Sequence, residues 1–204
     1  MKLYYAPGTV SVVVAIALHE AGLEFDPHKV SFAAAEQTKP AYHAINPKGR
    51  VPALEVEGAV LTETGAILDY IAAVAPAADL MPSDPIGAAR VRAVIHYLAS
   101  TMQVNHAHGP RASRWATEPS SHADMRAQMP KNMTASAQFV ENHCLTGPFV
   151  TGNRLTVADA HLFVMCLWLC GDGVDVAAFP RITAFLEAME VRPSVKAVRA
   201  ADML

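Results

Sequence analysis

The chain has 204 residues, 52% of them apolar and 17% charged, which is room for one large or two small domains and too apolar a composition for a disordered chain. Sixteen Lys and Arg against 19 Asp and Glu leave a net charge of −3 with no basic stripe, which excludes phosphate-tracking nucleic-acid binding. The longest apolar runs, residues 10–18 and 162–170, fall short of the ~20 residues that cross a bilayer, so no membrane partner is expected.

Lys2-Leu3-Tyr4-Tyr5 predicts a short strand closed by Pro7-Gly8, with Ser11 as the N-cap of a helix to Gly22. The apolar run after Lys2 imitates a secretory signal. Pro7-Gly8, however, separates charge from run, and His19-Glu20 stand where a small-residue cleavage site would fall, so a βα unit is expected instead. Residues 24–30 predict a second strand, and residues 33–45 a loop with a short helix. Residues 50–56 and 59–61, joined across Glu57-Gly58, predict an antiparallel hairpin. Pro52 cannot donate to a ladder, so it is expected either at an edge or in a cis Val51-Pro52 bond that turns the backbone outward and lets Val51 pair with a ligand. Thr62, Glu63 and Thr64 then open a helix to Val74, ended by Pro76.

Past Pro82 the β signals stop. Asp84 with Pro85 starts a long helix ending near Gly109-Pro110. A second helix is expected over 121–144, with Met125, Met129 and Met133 on one face and an interruption at Pro130. Thr156-Val157-Ala158-Asp159 is a capping box before an apolar run, and Phe179-Pro180 and Pro193 open two more helices. An α/β domain over 1–77 is therefore expected to precede an all-helical domain over 84–204. The three cysteines Cys144, Cys166 and Cys170 cannot all pair within one chain, which fits a reducing cytoplasm, and Cys166 and Cys170 are expected to be buried thiols.

Ser11 begins a helix, where unpaired N–H groups and the macrodipole favour an anion, so its hydroxyl is either a plain cap or a partner for a thiolate. Tyr5, at the strand end, is either a second such hydroxyl or a core aromatic. At the later helix start, amide groups and the Thr64 hydroxyl suit a carboxylate, while Glu63 suits an ammonium. With the Val51 backbone between them, these sites describe a peptide-like ligand with a zwitterionic end and a sulfur. His106 and His108, two apart on a helix, point to different faces, so no metal site is expected there. The methionine stripe is core or dimer packing, or the lining of an adaptable apolar pocket.

The segments Met1-Lys2-Leu3-Tyr4-Tyr5-Ala6-Pro7-Gly8, Asn46-Pro47-Lys48-Gly49-Arg50-Val51-Pro52-Ala53-Leu54, Leu61-Thr62-Glu63-Thr64 and Leu155-Thr156-Val157-Ala158-Asp159 resemble the bacterial glutathione transferases, nearest the beta class. That resemblance implies an α/β thioredoxin-like N-terminal domain, an all-α C-terminal domain and a homodimer. It also implies a detoxifying transfer of the glutathione thiolate to a small hydrophobic electrophile, with glutathione as co-substrate and no cofactor. Val51 would pair with the cysteinyl backbone of glutathione beside a cis Pro52. Glu63 would meet the γ-glutamyl ammonium and Thr64 its carboxylate, and His106 would face the cleft on the electrophile side. The family's cysteine two residues after Gly8 is here Val10. Its basic residue for the glycyl carboxylate falls in a segment occupied by Ala33-Ala34-Ala35, leaving Gln37 or Lys39 as substitutes, and an expected asparagine on the long helix is Ala99. Ser11 is then the first candidate to hold the sulfur and Tyr5 the second. Two alternatives remain: glutathione-dependent disulfide reduction, and a catalytically silent dimeric ligand-binding protein.

Overall fold

The computed structural model describes residues 1–204 as two compact units, 1–85 with 190–204, and 86–189. In the first unit, β1 (Lys2–Tyr5) leads into α1 (Val12–Glu20) and then β2 (Asp26–Lys29). After a 3₁₀ turn and α2 (Pro40–His43) come β3 (Ala53–Val56), β4 (Ala59–Thr62) and α3 (Thr64–Val74). The sheet order is β2-β1-β3-β4. β1 and β2 pair parallel across the α1 crossover, and the β1–β3 and β3–β4 pairs are antiparallel. This is a thioredoxin-like βαβ–ββα sheet. The exposed edge strand β2 carries Pro27, a position where a missing N–H removes no ladder bond. Pro52 lies just before β3, and its bond to Val51 is cis, so it stands outside the ladder altogether.

Residues Val12 to Leu18 of α1 are all at most 1% exposed. A helix apolar all round must be covered on every side, and here β1, α3 and α9 (Pro193–Ala200) cover it. The C-terminal segment thus packs with the α/β unit and not with the helical domain in which the sequence pattern had placed it. Glu20, at the end of α1, accepts from Arg192 Nε at 2.5 Å and Nη2 at 2.6 Å and from the Ser194 hydroxyl, and Gly8 N–H donates to Met203 O at 2.9 Å. Burial opposes ionisation of Glu20, but the Arg192 and Ser194 hydrogen bonds and the guanidinium charge outweigh it and hold its pKa down.

The second unit is helical, with α4 (Pro85–Tyr97), α5 (Gln103–Ala107), α6 (Pro119–Phe139), α7 (Val157–Trp168) and α8 (Pro180–Glu190). A π turn over Leu98–Met102 joins α4 to α5, and another over Val140–Cys144 extends α6. Pro130 does not interrupt α6, because packing overrides the lost N–H bond; its carbonyl accepts the Thr134 hydroxyl at 2.7 Å. The capping box at the start of α7 is present: the Asp159 carboxylate takes Thr156 N–H at 2.7 Å and Val150 N–H at 2.8 Å, and the carboxylate is fully buried. Cys166 is buried on α7, where desolvation first and then Cys144 and Glu141 raise its pKa. Cys170 is exposed, because the helix ends at Trp168 and leaves it in the following turn.

Candidate functional site

In the α/β unit the Asn46-Pro47-Lys48-Gly49 run is a fastening for the segment that follows it. Asn46 is buried, accepts Lys48 N–H at 3.2 Å and donates from Nδ2 to the Arg50 carbonyl at 2.6 Å. The Tyr42 hydroxyl donates to the same carbonyl at 2.8 Å. Burial, then the neighbouring charges of Tyr4 and Glu36, push the Tyr42 pKa up to about 12, so the phenol remains a donor. Gly49 has φ +59°, and a Cβ there would lie 2.9 Å from the Gln37 carbonyl oxygen, so only glycine fits this turn. With Arg50 fixed, the Val51 N–H and C=O enter no hydrogen bond within the chain. They form a short open strand edge beside the cis Pro52.

At the start of α3, Glu63 has φ +69° and ψ +118°. A non-glycine residue held there costs on the order of 1–3 kcal/mol, a strain that concentrates at functional positions. The Glu63 side chain is 72% exposed and pairs with Lys48 Nζ at 2.6 Å, a nitrogen that also donates to the Thr62 hydroxyl at 2.7 Å. Thr64 is 8% exposed, and its hydroxyl enters no hydrogen bond. A carboxylate that already holds an ammonium thus stands beside a free hydroxyl and a helix N-terminus. That is the complement of an amino acid's zwitterionic end.

At the start of α1 the structure corrects the expected side-chain cap. Ser11 is fully buried, has helical φ and ψ and makes no side-chain cap. Its hydroxyl accepts Ala6 N–H at 3.0 Å and lies 2.7 Å from Thr9 Oγ1 and 3.2 Å from the Ala6 carbonyl, so it closes the 6–11 turn from inside. A hydroxyl so enclosed does not reach a ligand unless the turn opens. The Val10 N–H enters no hydrogen bond within the chain. Tyr5 is 7% exposed and paired with Lys29 in the sheet, as a core aromatic would be. Lys39 is exposed at the start of α2, and its ammonium has no partner.

In the helical unit, His106 on α5 meets two residues that no short motif announces, because they lie more than 60 positions further on. The ring stacks on Trp168 with centroids 4.2 Å apart and an interplanar angle of 23°. Its Nδ1 lies 2.9 and 2.8 Å from the two carboxylate oxygens of Asp172, which is 5% exposed. These residues, with Arg126, Met129 and Leu167, line a cavity of about 550 Å³. Gly109 lies against it, and a Cβ there would come within 2.2 Å of Met129 Sδ. Of the methionine stripe, Met133 is buried in the core, Met129 lines the cavity and Met125 is half-buried. His108 packs edge-on against Trp115 at 4.7 Å, apart from His106.

Family models for the glutathione S-transferase N-terminal and C-terminal domains match residues 1–73 and 112–202. The glutathione S-transferase GstA of Escherichia coli O157:H7 is 31% identical over 207 residues, with the whole of both chains covered. The chain belongs to the glutathione S-transferase family. A solved glutathione transferase homologue from Sulfitobacter, with glutathione bound, is 58% identical with a TM-score of 0.98, covering 100% of this chain and 98% of that one. The beta-class enzyme of Sphingomonas chungbukensis is 30% identical with a TM-score of 0.86, covering 99% and 98%. As in those bacterial transferases, a thioredoxin-like unit precedes a helical one. No helix here is long and apolar enough to cross a membrane.

Proposed function

We propose that this chain is a cytoplasmic, homodimeric transferase that holds glutathione on the α/β unit and joins its thiolate to a small hydrophobic electrophile. One observation carries the reading: the 58% identity and TM-score of 0.98 to a homologue that binds glutathione. It is supported by an open Val51 backbone, a cis Pro52 and the Glu63-Thr64 helix start. In this assignment Val51 pairs with the cysteinyl backbone and the ligand ammonium takes the place of Lys48 Nζ against Glu63. Thr64 and the α3 amides receive the α-carboxylate, and Lys39 receives the glycyl carboxylate.

The sulfur is assigned to the start of α1. Lowering a thiol pKa of about 8.5 by two units takes roughly 2.7 kcal/mol of preference for the thiolate. One N–H bond to a charged sulfur, about 1.5–3 kcal/mol, with a dipole contribution of about 0.3–1, supplies it. The Val10 N–H is the free donor at that place, and Ser11 acts by fixing the turn that presents it. The cavity beside His106 receives the electrophile.

Turnover with chlorodinitrobenzene and with hydroxyethyl disulfide, each with glutathione, separates the readings. Transfer to the aryl halide is the expected result. Disulfide reduction alone favours the reductase alternative, and no turnover with either favours a silent binder. Sedimentation at micromolar concentration is expected to show a species of twice the 21.8 kDa chain mass; a single 21.8 kDa species contradicts the dimer.

A further inference from the structure

We infer that Lys48 is a built-in competitor for the Glu63 carboxylate, and that by yielding it only in exchange for a ligand's ammonium Lys48 sets how strongly and how selectively the α/β unit takes an amino-bearing peptide. The inference rests on the glutathione reading for its ligand. Lys48 Nζ lies 2.6 Å from Glu63 Oε1 and donates to the Thr62 hydroxyl at 2.7 Å. Its backbone belongs to the turn that fastens Arg50, just ahead of the open Val51 edge, so one side chain links the two places assigned to the peptide. The positive φ of Glu63, +69°, fixes where its side chain starts, and that side chain is 72% exposed. An ammonium arriving from solvent therefore reaches the same carboxylate that Lys48 holds.

Two ammonium groups on one carboxylate repel each other, so the second binds by replacing the first. The replacement cancels much of what the ligand's amino group gains, because one ion pair forms and another breaks. Apparent affinity falls in proportion to the fraction of molecules in which Glu63 is free of Lys48. A ligand without an amino group neither displaces Lys48 nor meets this cost, and the lysine thereby narrows the gap between amino-bearing and amino-less peptides. A lysine that instead lent its charge to a peptide carboxylate would act with the opposite sign, since its loss would weaken both kinds of ligand.

The test is calorimetric titration of the full-length wild type, Lys48→Met and Lys48→Arg with two peptides: glutathione, and the analogue with a glutaryl group in place of γ-glutamyl, which lacks only the amino group. Lys48→Met keeps the backbone N–H that Asn46 accepts, so the turn is retained. Glutathione is expected to bind Lys48→Met about two- to fivefold more tightly than the wild type, the range of one exposed ion pair, while the analogue gains nothing. Lys48→Arg, which keeps a cation, is expected to match the wild type with both peptides. In about 1 M salt, where charges are screened beyond ~3 Å, the gain is expected to vanish. Equal or weaker binding of glutathione by Lys48→Met, the same gain with the analogue or with Lys48→Arg, or a gain that survives the salt would each overturn the assignment. If none of the three proteins binds glutathione, it is the glutathione reading that falls, and the competitor role with it.

Discussion

Glu63 combines a strained backbone, an exposed side chain and a position at a helix start, which is more than a surface ion pair with Lys48 requires. Exposed pairs of this kind contribute about 0–1 kcal/mol to folding, so the Lys48 contact does not explain why the strain is kept. The ligand ammonium proposed above would give it a use. Glu63→Ala is expected to weaken glutathione binding by about 1.5–3 kcal/mol while leaving the unfolding midpoint nearly unchanged. Calorimetric titration that finds equal affinity in a folded variant removes Glu63 from the site. His161 illustrates a different case, a buried polar residue with no hydrogen-bond partner. It is fully buried on α7 with neither ring nitrogen partnered, and burial lowers its pKa from 6.5 to about 3. The folded protein keeps the ring neutral, whereas the unfolded chain takes up a proton below pH 6.5. Stability is thus full above that value and is lost as pH falls toward the folded pKa, by roughly 2 kcal/mol at pH 5. His161→Phe is expected to remove this loss, which urea denaturation at pH 7 and pH 5 measures; the same pH dependence in both proteins contradicts it.

Among the elements, α1 was legible as a helix between Ser11 and Gly22, though not as one buried on every side, and the capping box predicted the start of α7 correctly. The role of Ser11 was not legible. A serine before a helix reads as a cap, and only the fold shows its hydroxyl turned back onto Ala6 and Thr9. Ser11→Ala leaves the Ala6 N–H without this partner in a buried place and is expected to lower folding stability by about 1–3 kcal/mol, to a similar extent with and without glutathione. A loss seen only in the complex would instead make Ser11 a direct partner of the sulfur. The position of α9 was likewise hidden, since its contacts with α1 rest on pairs such as Glu20 and Arg192, which are too far apart in sequence for any periodicity to register.

At the scale of the molecule, the order of strands and helices could be read because each half keeps its own apolar period, and Val51-Pro52 and Glu63-Thr64 could be read because each stands at a local turn or helix start. The His106–Asp172–Trp168 group could not, because it is assembled by the packing of helices distant in sequence. The same holds for the free Val10 N–H at the start of α1, since a backbone amide leaves no trace in residue type. The central claim, that the α1 start holds glutathione as a thiolate without a protein cysteine, is tested most directly by the ultraviolet thiolate absorbance of bound glutathione against pH, in the wild type and Tyr5→Phe. Stabilisation by the Val10 amide and the helix dipole predicts that the bound thiol ionises about two units below the free value of about 8.5, with Tyr5→Phe superimposed on the wild type. A wild type with no thiolate near neutrality, or a curve displaced by Tyr5→Phe, would contradict it.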